Sequence, residues 1–180
     1  SISAAWDSAC ILHDNSPVCW GNNYLARDQQ PPQGLKFEKI RAGASEDGGG
    51  ACGSLGTSVW CWPGPSGKAF EKKTFSAAIR EAIPYGPGGA CIVLDNGSLE
   101  CLDWNDNKAW LKLSNVSGAS IVSKSTLAGP QEFLLVSAGP DVYLGSTPGN
   151  PEKVLTGFNA KRVSRGCVLN DVEAYCLGSQ

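Results

Sequence analysis

The sequence predicts an all-β fold made of repeated hairpins, and three observations support this. Eight cysteines fall into four pairs, whose members are 9, 9, 10 and 9 positions apart. The pairs begin at positions 10, 52, 91 and 167, so the first two intervals are 42 and 39 and the last, 76, is close to twice as long. A loop rich in Gly, Asn and Pro follows each of the first three pairs. Units that repeat at these intervals and contain several short strands each are typical of a small β-propeller of about five short, disulfide-stapled blades.

The long interval between the third and fourth cysteine pairs contains a copy of the unit without cysteines. The stretch that begins at Phe133 ends in Leu-Gly-Ser, as does the segment after Cys176, and it has Phe133 and Tyr143 where the cysteines would be. The chain therefore divides into five units that start near positions 1, 37, 77, 119 and 158. We predict a single repeat domain over residues 1–180.

The spacing of each cysteine pair fits a disulfide across a β-hairpin. If Cys10 faces Cys19, Asp14 and Asn15 remain as a two-residue turn, and both residue types tolerate the positive φ that such a turn demands. Residues that face each other in a non-hydrogen-bonded antiparallel pair are close enough for a disulfide. We therefore predict four disulfides: Cys10–Cys19, Cys52–Cys61, Cys91–Cys101 and Cys167–Cys176.

Two units vary this hairpin. In the third, the wider cysteine spacing and the dipeptide Asn96-Gly97 predict a three-residue loop or a bulge. In the fourth, Phe133 and Tyr143 are expected to form a cross-strand aromatic pair at the position of the missing disulfide.

A short, β-branched segment precedes each hairpin and is predicted to form another strand. These segments are Ser1–Ala4, Phe37–Gly43, Ile79–Ile83, Ala119–Ser123 and Asn159–Ser164. The only stretch that suggests a helix is Glu71–Arg80. A ring of blades hides the edges of such sheets, whereas a linear stack would leave edges open, and this favours the propeller.

Composition limits the classes of function. The formal net charge of −2 argues against a nucleic-acid partner, which requires a concentrated basic surface. A single histidine, His13, and the absence of CxxC argue against zinc and redox chemistry, so we expect no metal and no cofactor.

Locally paired cysteines indicate an oxidising compartment, and we expect a secreted or extracellular protein. No apolar run is long enough for membrane insertion. The chain begins at Ser1 and lacks methionine, so we expect a processed or trimmed product.

The pattern "AG…ACxL…VxCWGxN" resembles the β-propeller repeat of the regulator-of-chromosome-condensation type. It is carried best by Cys19-Trp-Gly-Asn in the first unit and by Ala42-Gly, Cys52 and Val59-Trp-Cys61-Trp in the second. The version with cysteines is similar to the ectodomain repeats of CRINKLY-type plant receptor kinases. The resemblance implies a binding protein, since members bind chromatin and a small GTPase, β-lactamases, or undetermined ligands. It brings no catalytic motif.

Most candidate binding residues are aromatic and polar side chains outside the repeat pattern, and Trp60 belongs to the mixed column that precedes the second cysteine. Trp20 and Trp62 follow the second cysteine of their units, in a uniformly apolar column, and are predicted to be core. Exposed aromatic rings beside amide and carboxylate groups suit either a sugar pocket or a protein hot spot. The candidates are Asp103, Trp104, Asn105 and Trp110 in one acidic, amide-rich loop, with Tyr24 and Trp60.

The leading expectation is a recognition module that binds a protein partner as an ectodomain, inhibitor or effector. The alternative is a lectin that uses loop pockets, although a lectin would tend to repeat its contact residues and these loops diverge. No catalytic motif is present, and any triad would depend on His13, so we do not expect an enzyme. Asn96 and Asn115 each begin a sequon for N-glycosylation.

Overall fold

The computed structural model describes residues 1–5, 8–21, 31, 33–43, 50–62, 71–85, 89–103, 108–126, 129–164 and 166–177. Over these residues the fold is all-β, with eighteen strands in five antiparallel sheets and no helix. Each sheet is a meander in which strands adjacent in sequence are hydrogen-bonded neighbours. The part of the chain so described contains no helix that could cross a membrane.

The five sheets follow one another along the chain. Sheet 1 contains β1 (Ile2–Ala5), β2 (Ser8–His13) and β3 (Ser16–Gly21), and sheet 2 contains β4 (Lys39–Ala42), β5 (Ala51–Leu55), β6 (Ser58–Trp62) and β7 (Glu71–Thr74). Sheet 3 contains β8 (Ile79–Tyr85), β9 (Gly89–Leu94), β10 (Leu99–Asp103) and β11 (Lys108–Leu113). Sheet 4 contains β12 (Val116–Thr126), β13 (Gly129–Ala138), β14 (Asp141–Ser146) and β15 (Glu152–Leu155). Sheet 5 contains β16 (Arg162–Ser164), β17 (Cys167–Leu169) and β18 (Ala174–Cys176).

All four predicted disulfides are present, and each joins directly opposite residues of one hairpin. The Cα atoms of bonded cysteines are 3.9 to 4.1 Å apart, close to the short separation of a non-hydrogen-bonded antiparallel pair. The turn residues Asp14 and Asn15 have φ values of 50° and 62°, as the two-residue turn requires. In the third unit Gly97, with φ of 80°, closes a three-residue loop. The predicted register is confirmed in the four hairpins that contain cysteines.

The prediction for the fourth unit was wrong. Phe133 faces Ser146 and Tyr143 faces Val136, so these two aromatic residues do not form a cross-strand pair. The reason is parity, because a two-residue turn at positions 139–140 pairs only residues an odd number of positions apart, whereas Phe133 and Tyr143 are ten apart. Leu135 and Leu144 face each other at the register position that the cysteines occupy elsewhere.

The suggested helix at Glu71–Arg80 was also wrong. Glu71–Thr74 forms β7, which pairs with β6 and completes sheet 2. Phe75 and Ile79 then enter the core between sheets 2 and 3. Pairing with a neighbouring strand and burial of these two side chains outweigh the weak local preference for a helix.

Consecutive sheets always pack in the same direction, which we call the polarity of the packing. We call the face that carries the cysteine pair, or Leu135 and Leu144 in sheet 4, the disulfide face, and the opposite face the reverse face. The disulfide face of each of the first four sheets packs against the reverse face of the next sheet. Trp62, on the reverse face of sheet 2, is fully buried in this way.

Trp20 departs from its prediction. It occupies in sheet 1 the same register position as Trp62 in sheet 2, because each is opposite the alanine that precedes the first cysteine. However, 49% of Trp20 is exposed, since no earlier sheet among the described residues covers the reverse face of sheet 1.

Candidate functional site

Half of the sequence-derived binding candidates lie outside the described residues. Trp104, Asn105 and Tyr24 fall in the ranges 104–107 and 22–30, so their predicted roles stay predictions. The other three are Asp103, Trp110 and Trp60. Asp103 ends β10 and faces Lys108 at the start of β11, so it lies on the same pair of strands as Trp110.

Trp110 is held within its own sheet by Tyr85. The indole Nε1–H of Trp110 donates a hydrogen bond to the hydroxyl group of Tyr85, which in turn donates one to the carbonyl oxygen of Leu102 at 2.8 Å. The two aromatic rings pack edge to face with their centroids 6.0 Å apart. Trp110 is therefore half-buried and packs against the core between sheets 3 and 4.

Trp60 is buried on the reverse face of sheet 2. Its ring packs edge to face against Phe37, with a centroid distance of 5.4 Å, and the Nζ atom of Lys72 lies 5.1 Å from its centroid. It belongs to the core between sheets 1 and 2, whereas Trp110 packs between sheets 3 and 4. The described structure thus does not bring these two tryptophans into one site.

A cleft of about 260 Å3 opens along the first strands of sheets 1, 2 and 3. Its charged lining comes from Lys39 and Arg41 of β4 and from Arg80 and Glu81 of β8. Alternation along β4 explains the placement, since Ile40 and Ala42 are buried between sheets while the two basic residues lie on the other face. Over the described part of the chain, the cleft therefore has three cationic side chains and one carboxylate.

Polar side chains in and beside this cleft join each sheet to the next. Ser3 accepts a hydrogen bond from the backbone N–H of Ala42 at 3.0 Å, and Lys39 donates one to the carbonyl oxygen of Ile79 at 2.9 Å. Arg80 donates one to the carbonyl oxygen of Val116 at 2.6 Å. These bonds fix the first strands of sheets 1 to 4 relative to one another, so the cationic groups are held in place rather than free to rotate in solvent.

The balance of charge in the cleft is positive. Arg41 forms an ion pair with Glu81. Among the described residues, neither Lys39 nor Arg80 has a carboxylate within ion-pair distance. Each retains N–H donors beyond the one used for a backbone carbonyl. The cleft thus concentrates positive charge and spare hydrogen-bond donors within a chain whose formal net charge is −2.

Sequence reasoning missed this cleft. Lys39, Arg41 and Arg80 are isolated basic residues in the sequence, and no motif marks them. The signal that could have found them is the register of the repeat, because the first strands of consecutive blades lie next to one another in a propeller. An alignment of these first strands would have drawn attention to the polar residues that alternate with buried residues along them.

Neither a protein-family model nor a curated protein matches the sequence. Among solved structures, the chain is similar to one chain of a structure in which an S. cerevisiae Dbp5 variant is bound to Nup159, a Gle1 variant, IP6 and ADP. That match has 15% sequence identity and a TM-score of 0.46, and it covers 82% of this chain and 40% of that chain. The chain is also similar to apo AztD from Citrobacter koseri, with 11% identity and a TM-score of 0.45, over 84% of this chain and 45% of that one. It spans less than half the length of either chain.

Proposed function

We propose that the chain is a secreted, disulfide-stabilised β-propeller module that recognises a protein partner, and that the basic cleft receives an acidic side chain of that partner. The observation that carries the proposal is the excess of positive charge on Lys39, Arg41 and Arg80, which among the described lining residues is opposed by the carboxylate of Glu81 alone. An anionic group in the cleft would meet spare donors of both Lys39 and Arg80.

The sheet arrangement supports the propeller part of the proposal. Each sheet is a simple meander, and the first strands β1, β4, β8 and β12 each contact the first strand of the following sheet. A propeller has this order, with the first strand of each blade innermost around the axis. The resemblance to repeats of the regulator-of-chromosome-condensation type leads to the same architecture.

Two features support an extracellular location. Four disulfides in a chain of 180 residues are typical of oxidising compartments. In addition, the two sequon residues Asn96 and Asn115 are both exposed, and both lie in turns or bends beside strands. A glycosylation enzyme could reach either side chain in the folded chain.

The cleft suits a protein side chain better than a sugar. Its volume of about 260 Å3 is below the roughly 300–1,000 Å3 of sites that enclose whole small molecules. Among the residues that the structure describes, no aromatic side chain lines it, and charged and small polar groups lie beside Ile2, Ile40 and Ala82 in its walls. The lectin alternative depends instead on the loop with Trp104 and Asn105, which lies outside the described residues.

The test uses a fluorescent peptide of alternating Glu and Gly as the probe, with Gln-Gly and Lys-Gly peptides beside it. Fluorescence anisotropy should show binding of the Glu peptide alone, and the double variant Lys39→Gln/Arg80→Gln should weaken it by roughly tenfold or more. Lys112→Gln is the matched control, because Lys112 is an exposed cation on β11 of sheet 3, outside the cleft.

Two results would reject the proposal. Equal binding of the Glu peptide by the wild type and the double variant would show that the cleft is not the site. Absence of binding by the Glu peptide, together with a defined sugar bound on a glycan array, would favour the lectin.

A further inference from the structure

The reverse face of sheet 1 repeats the buried reverse face of sheet 2, residue by residue. Relative to the disulfide of each hairpin, Ile2 corresponds to Ile40, Val18 to Trp60 and Trp20 to Trp62. Ala4 and Ala9 likewise take the places of Ala42 and Ala51.

These matched residues differ in exposure. In sheet 2 the five residues of this set are buried against sheet 1. In sheet 1, by contrast, Ile2 is 74%, Val18 46% and Trp20 49% exposed. A tryptophan and two aliphatic side chains therefore form an apolar surface that has the composition of an interface between sheets but no sheet against it among the described residues.

The elements that pack on the reverse face of sheet 2 indicate which kind of partner would fit the reverse face of sheet 1. From sheet 1 the covering elements are the disulfide Cys10–Cys19 and Leu12, which lies two residues after the first cysteine. Phe37, in the segment before β4, also packs against Trp60 and Trp62 on this face. The partner that fits the reverse face of sheet 1 is thus another antiparallel sheet with a cross-strand disulfide and a leucine at this position.

Sheet 5 supplies this combination. Its disulfide Cys167–Cys176 is followed by Leu169, also two residues after the first cysteine, and Leu169 pairs with Ala174 on the same face. Cys176 and Ala174 are exposed, because sheet 5 packs against sheet 4 through Val168 on its reverse face. The chain thus has an uncovered disulfide face at one end of its array of sheets and an uncovered reverse face at the other.

We propose that two copies of this chain associate head to tail, with the disulfide face of sheet 5 in one copy packed against the reverse face of sheet 1 in the other, so that the ring of the proposed propeller continues between chains instead of closing within one. The contact continues an interface that occurs four times within the chain with the same polarity. Because the two faces differ, the contact is heterologous and would either close into a ring or extend into an open array.

The test measures the mass of the intact, non-reduced chain by sedimentation velocity from micromolar to millimolar concentration. The wild type should form species heavier than the 18.9 kDa monomer. Trp20→Glu on the sheet 1 face and Ala174→Arg on the sheet 5 face should each weaken self-association by roughly 30-fold, as expected for an interface hot spot. Val18→Lys repeats the first test at a second position. Far-ultraviolet circular dichroism checks that every variant is folded.

Mixing the variants makes the test specific. Trp20→Glu retains an intact disulfide face on sheet 5, and Ala174→Arg retains an intact reverse face on sheet 1. The two should therefore form a one-to-one complex, although neither associates with itself. Val172→Lys is the control, because Val172 is 92% exposed but lies in the turn between β17 and β18, off both faces.

Three outcomes would overturn the proposal. The wild type could remain at 18.9 kDa throughout. Self-association could persist in both face variants, which would place the contact elsewhere. Alternatively, the folded monomer could shield Trp20 from acrylamide quenching, which would indicate that sheets 1 and 5 meet within one chain. None of these results depends on the basic cleft, so failure here is distinguishable from failure of the proposed function.

Discussion

Arg41 of β4 donates a hydrogen bond to Glu81 of β8 and forms an ion pair with it, and this contact joins sheets 2 and 3 at the wall of the basic cleft. Both side chains are partly exposed, so the pair contributes little to stability, up to about 1 kcal/mol. Its larger effect is on the cleft, because Glu81 neutralises one of the three cations there. Glu81 therefore competes with any anionic group that enters.

Glu81→Gln should strengthen binding of the Glu-Gly peptide to the cleft. Glutamine keeps an oxygen that can accept the hydrogen bond from Arg41 but removes the negative charge, so the expected gain in affinity is roughly fivefold. Fluorescence anisotropy gives the affinity, and thermal unfolding should show a small loss of stability. Glu100→Gln is the matched control, since Glu100 is paired with Lys112 on sheet 3 away from the cleft. An unchanged affinity in Glu81→Gln would show that Glu81 does not offset the positive charge of the cleft.

The sequence predicted the hairpins well because their register depends on local information. Cysteine spacing and turn residues such as Asp14 and Asn15 lie within a dozen positions of one another, and parity then determines which residues face each other. The same parity argument was available for Phe133 and Tyr143, and it would have selected Leu135 and Leu144. Composition and the shared Leu-Gly-Ser ending favour Phe133 and Tyr143, whereas the distance from the turn at Gly139 selects Leu135 and Leu144.

The basic cleft could not be predicted in the same way because it depends on contacts between units. Lys39 and Glu81 are brought to one cleft only by the packing of β4 beside β8. The exposure of Trp20 has a similar origin: its position in the repeat is that of a core residue, but burial requires a preceding sheet. A pattern in the sequence gives the face on which a residue lies, and only the assembled sheets determine what covers it.

Replacing Leu135 and Leu144 by cysteine should create a fifth disulfide. These residues face each other at the register position of the natural pairs, and they are nine positions apart, as in three of those pairs. Intact-mass analysis after alkylation should find no free thiol. The matched control is Phe133→Cys/Tyr143→Cys, whose residues are not partners and should leave two alkylated thiols. Two free thiols in the Leu135/Leu144 variant would show that the register of sheet 4 is different.

Gly53→Ala should destabilise the interface between sheets 1 and 2. An added Cβ atom would lie 2.7 to 2.9 Å from the ring atoms of Phe37, which is fully buried and stacks on Trp62 at a centroid distance of 5.8 Å. The ring is packed against both Trp60 and Trp62, so moving it disturbs this core, and the expected cost is about 1–3 kcal/mol in the free energy of unfolding. Chemical denaturation with the disulfides intact would measure it.

A double-mutant cycle identifies the cause of that cost. Phe37→Leu removes the ring and is destabilising by itself, but Gly53→Ala should cost less in the Phe37→Leu background than in the wild type, since the clash is then relieved. Equal costs in both backgrounds would mean that backbone effects of the glycine, rather than contact with Phe37, determine the result.

The ion pair with Asp141 should raise the pKa of Lys153. The Nζ atom of Lys153 lies 2.6 Å from Oδ2 of Asp141, and this hydrogen bond, together with the charge of the carboxylate, raises the pKa of Lys153 above its usual value of 10.5. Because the folded-state pKa is the higher one, the contribution of the pair to stability is fully present below the unfolded pKa. That contribution is lost as the pH rises through the folded pKa. Stability of the wild type relative to Asp141→Asn should therefore be constant in the neutral range and decrease only above about pH 10. Titration of the lysine 13Cε resonance should show a lower pKa for Lys153 in Asp141→Asn, and an identical pKa in the two proteins would contradict the assigned pair.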